Sequence, residues 1–225
     1  MLLLKKEIMS EIKIKNKETC IISLGCDCFP RTFTTVAGLK PRKEEGELSM
    51  PFDLSWSTND ALIHFINTDF KNFFDNIVFD KEKKYYFNKK YTMGFNHDMD
   101  CEDSKEGFEK LVQRYKARIQ NFREALNSDK FLLFVYNAPP KSEKGCNKLY
   151  KVLKNKRKNK DFRLVILDMD MEIKKALLDK NILLCAVKHP FNNRSEWWYP
   201  NNLEKRMEYC IDCGKVFKSI IANII

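Results

Sequence analysis

Four short apolar runs, each followed by a charged stretch with apolar residues every three or four positions, constrain this 225-residue chain most. They are residues 19–24 around Cys20-Ile21-Ile22, then Phe131 to Tyr136, Leu164 to Leu167, and Ile182 to Val187. Runs this short and this continuously apolar read as strands buried on both faces. The stretches behind them have amphipathic helical spacing: 30–38, then Cys146, Leu149, Tyr150 and Leu153, then 171–179. A final helix from about Asn202 is expected to pack Leu203, Met207, Cys210, Phe217 and Ile221. Strands alternating with helices require a parallel sheet covered on both sides. The expectation is a three-layer α/β fold with a mostly parallel sheet, residues 19–225 forming a single domain behind a loose lead-in, 1–18.

Between the first two runs the rhythm changes. Residues 39–50 carry charge, Pro and Gly without periodicity and read as a loop. Ser57, with Asp60 three residues on, reads as the N-cap of a helix whose apolar stripe is Ala61, Leu62, Phe65 and Ile66; His64 falls off that stripe. Residues 70–100 are aromatic and basic, and suit short strands, a meander around 77–97. Asp103 with Glu106 looks like a capping box opening the clearest helix, whose stripe is Phe108, Leu111, Val112, Tyr115, Ile119, Phe122 and Leu126.

The opening Met1-Leu2-Leu3-Leu4 meets Lys5 and Lys6 at once, too short for a signal peptide, and no run approaches the ~20 apolar residues of a membrane span. A soluble, cytoplasmic protein is expected, its eight cysteines reduced. The net charge is +10, and six of the ten residues from Lys151 to Lys160 are basic. Nucleic acid or an anionic polysaccharide would suit such a face, but no nucleic-acid motif accompanies it, and solvated helix lysines are the simpler account.

The chemistry concentrates in Ser23-Leu24-Gly25-Cys26-Asp27-Cys28 and the helix behind it. Gly25 permits a sharp turn, and Pro30 suits an early helical position. A thiol where a helix starts meets free N–H groups, which favour the nucleophilic thiolate. Ligands of open α/β sheets bind beyond the carboxyl ends of the strands, and Cys28, Asn137, Asp168 and His189 all follow strands. A cysteine nucleophile needs a base; His97, followed by Asp98, and His189, behind a buried run, are equally well placed. Cys26-x-Cys28 with Cys210-x-x-Cys213 offers four thiolates to zinc, but Cys210 lies on an apolar stripe, so a core role is expected and no metal site is assigned. No cofactor motif is present: neither a P-loop nor a dinucleotide fingerprint nor HExxH.

Ser23-Leu24-Gly25-x-x-Cys28, Pro51-Phe52-Asp53 and Phe95-x-His97-Asp98, with the basic-aromatic helix that follows, resemble in order and spacing a bacterial family labelled papain-like cysteine peptidases. The family is often associated with cell-surface polysaccharide gene clusters. The resemblance covers roughly residues 20–135; the family's tryptophan after Pro-Phe-Asp is Leu54 here, and Cys26 is an added thiol. It implies Cys28 as nucleophile, His97 as base and Asp98 or Asp53 as polar partner. The expected function is then a cysteine hydrolase attacking the carbonyl of a peptide, an isopeptide or an acylated glycan. The first alternative is an esterase-like or acyl-transfer site using Cys28, Asn137 and His189. The second is a non-enzymatic basic module with Lys151 to Lys160 as its contact face.

Overall fold

The computed structural model describes residues 13–14, 17–137, 143–158, 160–170, 180–192, 196–197 and 199–222. The helix expected over 171–179 and the Ala138-Pro139-Pro140 closure lie outside them, as does most of the expected lead-in. The main sheet holds, in spatial order, β1 (Lys13–Ile14), β2 (Lys17–Gly25), β7 (Phe131–Asn137), β8 (Phe162–Asp168) and β9 (Ile182–Ala186). β1 runs antiparallel to the start of β2; the other four strands are parallel. A second, antiparallel sheet is ordered β3 (Trp56–Ser57), β6 (Met93–Gly94), β5 (Tyr85–Asn88), β4 (Ile77–Asp80). The α/β architecture with an aromatic meander is therefore as the alternation of runs implied.

Period-two alternation decides what each side of the main sheet buries. Ile22, Leu24, Leu132, Phe134, Tyr136 and Leu164 face α2 (Asn59–Asn67), α3 (Lys105–Asn127) and α4 (Glu143–Arg157). Ile21, Leu133, Val135, Val165 and Leu167 face α1 (Phe29–Val36) and α5 (Leu203–Ala222). Each fully buried Leu, Ile or Phe contributes about 1.5–3 kcal/mol, so the two apolar layers set the fold. In register, Gly25 pairs with Asn137 and Asn137 with Leu167. Asp168, the last residue of β8, and the loops carrying Cys28 and His189 thus lie at one carboxyl edge.

Local chemistry corrects several expectations. Thr58, not Ser57, caps α2 by accepting from Ala61 N, while the Ser57 hydroxyl donates to Gly25 O. Ser104, not Asp103, caps α3 through Gly107 N. Residues 70–76 form turns rather than strands, with Phe70, Asn72 and Asn76 at positive φ. α1 ends at Val36 and Gly38 is left-handed (φ 65°), so the helix stops two residues earlier than expected. On α5 the expected Cys210, Phe217 and Ile221 are buried, but the first two residues of the expected stripe are not. Leu203 and Met207 are 57% and 42% exposed, while Tyr209, Cys210, Cys213 and Phe217 face the sheet. Gly25 is required for space rather than for a turn: a Cβ there would lie 3.1 Å from Pro30 Cγ and 3.3 Å from Asn137 Cβ. Among the described residues no helix is long and apolar enough to cross a membrane.

Candidate active site

β2 delivers the Gly25–Cys28 loop to the carboxyl edge, and Cys28 is the N-cap residue of α1. Its thiol makes no capping hydrogen bond, and the residue is 5% exposed. The helix start does not favour a thiolate as expected. Burial, reinforced by the neighbouring Asp27 carboxylate, pushes the Cys28 thiol up to about 12. Part of the reason is where the first N–H groups go. Phe29 N donates to Asp27 Oδ1 (2.9 Å), and Pro30 has no N–H. A carboxylate already occupies the positive end of the helix, so little of its field is left for sulfur.

Asp27 organises the loop, although no motif marks it in the sequence. The same Oδ1 accepts from Asn137 Nδ2 at 3.0 Å, linking the ends of β2 and β7. Asn137 is fully buried, and its Oδ1 has no hydrogen-bond partner among the described residues. Cys26 is half-buried and lies beside the Tyr136 hydroxyl, which donates to Asn59 Oδ1 at 2.7 Å. Ser57 N donates to Cys26 O (3.1 Å), and the strand holding Ser57 pairs Trp56 with Gly94, three residues before His97. The second sheet therefore ties the His97 segment to the Cys28 loop.

His97 is exposed and makes no hydrogen bond or ion pair among the described residues. Desolvation lowers its pKa below the usual imidazole value; Arg118 adds to this and Asp98 opposes it. Asp98 does not hold the imidazole. Its buried carboxylate accepts from Arg114 (2.7 Å), the Tyr115 hydroxyl (3.0 Å) and Arg118 (3.2 and 3.3 Å), pinning the segment to α3. Asp53, also buried, accepts from Met50 N at 2.8 Å and sits 3.5 Å from the buried Lys40 ammonium. Both acids act as internal struts.

His189 is held differently. Its Nε2 lies 3.2 Å from Asp170 Oδ1, and its Nδ1 accepts from Phe191 N at 3.3 Å. Both ring nitrogens are engaged, and neither imidazole is hydrogen-bonded to the Cys28 sulfur among the described residues. His64, expected at the surface, is half-buried and stacks on Tyr91 (centroids 4.5 Å apart) in a cleft of about 600 Å³ that also holds Lys90 and Lys148.

The other sequence candidates resolve into structural roles. Cys210 and Cys213 lie in the core, with burial pushing both thiols to about 12, as the apolar stripe suggested for Cys210. Within the basic run, Arg157 is 1% exposed and donates to the carbonyls of Leu126, Ser128, Lys130 and Asp161. Lys160 likewise donates to Asn127 O and Ser128 O. These two cations cap the end of α3 instead of presenting charge to a partner.

No curated protein and no solved structure gives a significant match to the chain. A family model does, over residues 19–172, and this span takes in the Cys28 loop, the His97 segment and the first three parallel strands; the chain belongs to the family described as "Putative papain-like cysteine peptidase".

Proposed function

We propose that the protein is a cysteine hydrolase in which Cys28 attacks a carbonyl carbon and His97 serves as general base. Family membership supports the reaction class, since the matched span contains both residues. The observation that carries the assignment of the base is the tether from Cys26 through Ser57 and Trp56 to Gly94, which brings the His97 segment to the nucleophile's loop. The lowered His97 pKa keeps the imidazole neutral at pH 7, the state a base needs.

Because burial keeps the thiol protonated, proton removal accompanies attack rather than preceding it. His97 takes the sulfur proton as the S–C bond forms, and the imidazolium returns it to the departing amine or alcohol. Water, deprotonated by the same ring, then releases the acid from the thioester and restores the thiol. With Phe29 N donating to Asp27 and Pro30 lacking an N–H, the Cys28 backbone N–H is the loop's candidate for stabilising the tetrahedral oxyanion. Substrates are peptides, with isopeptides and acylated glycans as the wider class.

The test is turnover of a panel of fluorogenic peptide amides, isopeptides and acyl esters, with the thioester trapped on the Cys28 peptide by mass spectrometry. Cys28→Ala and His97→Gln should each lower kcat/KM by about 10³ or more, with His189→Gln near wild type. Turnover that survives Cys28→Ala overturns the reading. Loss in His189→Gln but not in His97→Gln transfers the base to His189, as in the esterase-like arrangement with Asn137.

A further inference from the structure

α5 contributes to the Cys28 site from outside the span matched by the family model. α1 and α5 pack in the same sense. Phe29, the first residue of α1, meets Tyr209 at 5.8 Å, while Phe33 meets Phe217 at 5.6 Å. Farther along, a Cβ on Gly214 would lie 2.7 Å from Ala37 Cβ. One turn before Tyr209 and Cys210, on the same buried face, is Arg206. At 3.6 residues per turn it continues the row through Cys210, Cys213 and Phe217, at the end of α5 that packs beside Phe29, the chain neighbour of Cys28. Its positive charge accordingly reaches the Cys28 and Cys210 thiols, lowering both against the effect of burial.

Arg206 has no ion-pair partner among the described residues, and its Nε is buried without a hydrogen-bond partner. Glu204 and Glu208, its near neighbours in sequence, are exposed on the opposite side of the helix. A buried guanidinium N–H left without an acceptor is costly, and a planar fork of donors suits a carboxylate. At the end of β7, where Asn137 Nδ2 bonds the Asp27 carboxylate of the Cys28 loop, Asn137 Oδ1 is a second buried polar atom without a partner among the described residues.

We propose that Arg206 is the anion-binding residue of the Cys28 site, so that the compounds it accepts carry a carboxylate close to the carbonyl under attack. This rests on the hydrolase reading for its meaning but not for its test. Iodoacetate and iodoacetamide alkylate the same thiolate and differ in one carboxylate, so the ratio of their rates at Cys28 cancels the thiol pKa. That ratio, measured by peptide mass spectrometry, should exceed the value for the same peptide in the urea-unfolded chain by about tenfold, fall to that value in Arg206→Gln, and recover partly in Arg206→Lys. As an independent readout, malonate should raise the thermal midpoint of the wild type and not of Arg206→Gln.

A ratio unchanged by Arg206→Gln, or equal malonate shifts, overturns the inference and leaves the hydrolase reading intact. A ratio that behaves as expected while Cys28→Ala still turns over substrate does the reverse: the anion site stands and the hydrolase reading falls.

Discussion

The reactivity of Cys28 with neutral iodoacetamide should be low at neutral pH and rise steadily into the alkaline range. Its thiol is displaced from 9.0 to about 12 by burial and by Asp27. At pH 7.5 an ordinary thiol of pKa 9.0 is ionised to about 3 parts in 100, and one near 12 to about 3 parts in 100,000. That thousandfold deficit is partly offset, since a more basic thiolate is more nucleophilic; a Brønsted slope of ~0.4–0.5 over three pH units returns about 16- to 32-fold. Cys28 should therefore react about 30- to 60-fold more slowly than the same cysteine in the unfolded chain, before any steric shielding. The assay is iodoacetamide labelling followed by peptide mass spectrometry from pH 6 to pH 11, with the rate climbing about tenfold per unit. A plateau near neutrality, or labelling faster than in the unfolded chain, would mean a preformed thiolate. It would refute both the burial argument and the coupling of proton transfer to attack.

Other consequences can be checked by stability. The folded Cys28 pKa lies above the unfolded one, so its contribution is complete below pH 9 and is lost as pH rises toward 12. Urea midpoints should fall less steeply over that range in Cys28→Ala than in the wild type; equal slopes would count against the shift. Asp98→Asn should cost about 3 kcal/mol in chemical denaturation, because Arg118 and Tyr115 lose their buried acceptor. An unchanged midpoint would remove Asp98 from its role as a strut. Arg157→Met leaves at least four carbonyls without a donor and should cost about 3–5 kcal/mol, far more than loss of a surface cation. Gly94→Ala would set a Cβ 2.0 Å from Trp56 Nε1, and should loosen the β3–β6 pairing and lower activity along with stability.

The parallel core was legible because its strands carry almost wholly apolar runs of four to six residues, a pattern with few other readings. The helix starts were misplaced by one residue at Thr58 and Ser104, where two adjacent side chains were both able to cap and only backbone geometry chooses between them. The start of the α5 stripe was misread because Leu203 and Met207 look like core residues, whereas the helix turns Tyr209 and Cys213 inward against α1. At the site, the loop and its cysteine stood out from sequence. The state of the thiol did not, because it depends on burial and on Asp27 taking up the helix's first N–H. Arg206 carried one available signal, a cation at helical spacing with Cys210, Cys213 and Phe217, hidden among 41 Lys and Arg residues.

The same-sense packing of α1 on α5 also has a consequence for synthesis. Phe29 leans on Trp197 and Tyr209, side chains translated some 170–180 residues after it. Until that stretch has left the ribosome, the nucleophile's helix has a bare flank and its sulfur is open to water. A nascent chain halted after β9 should thus label readily at Cys28 where the finished protein resists, which makes thiol accessibility a clock for the arrival of the closing helix.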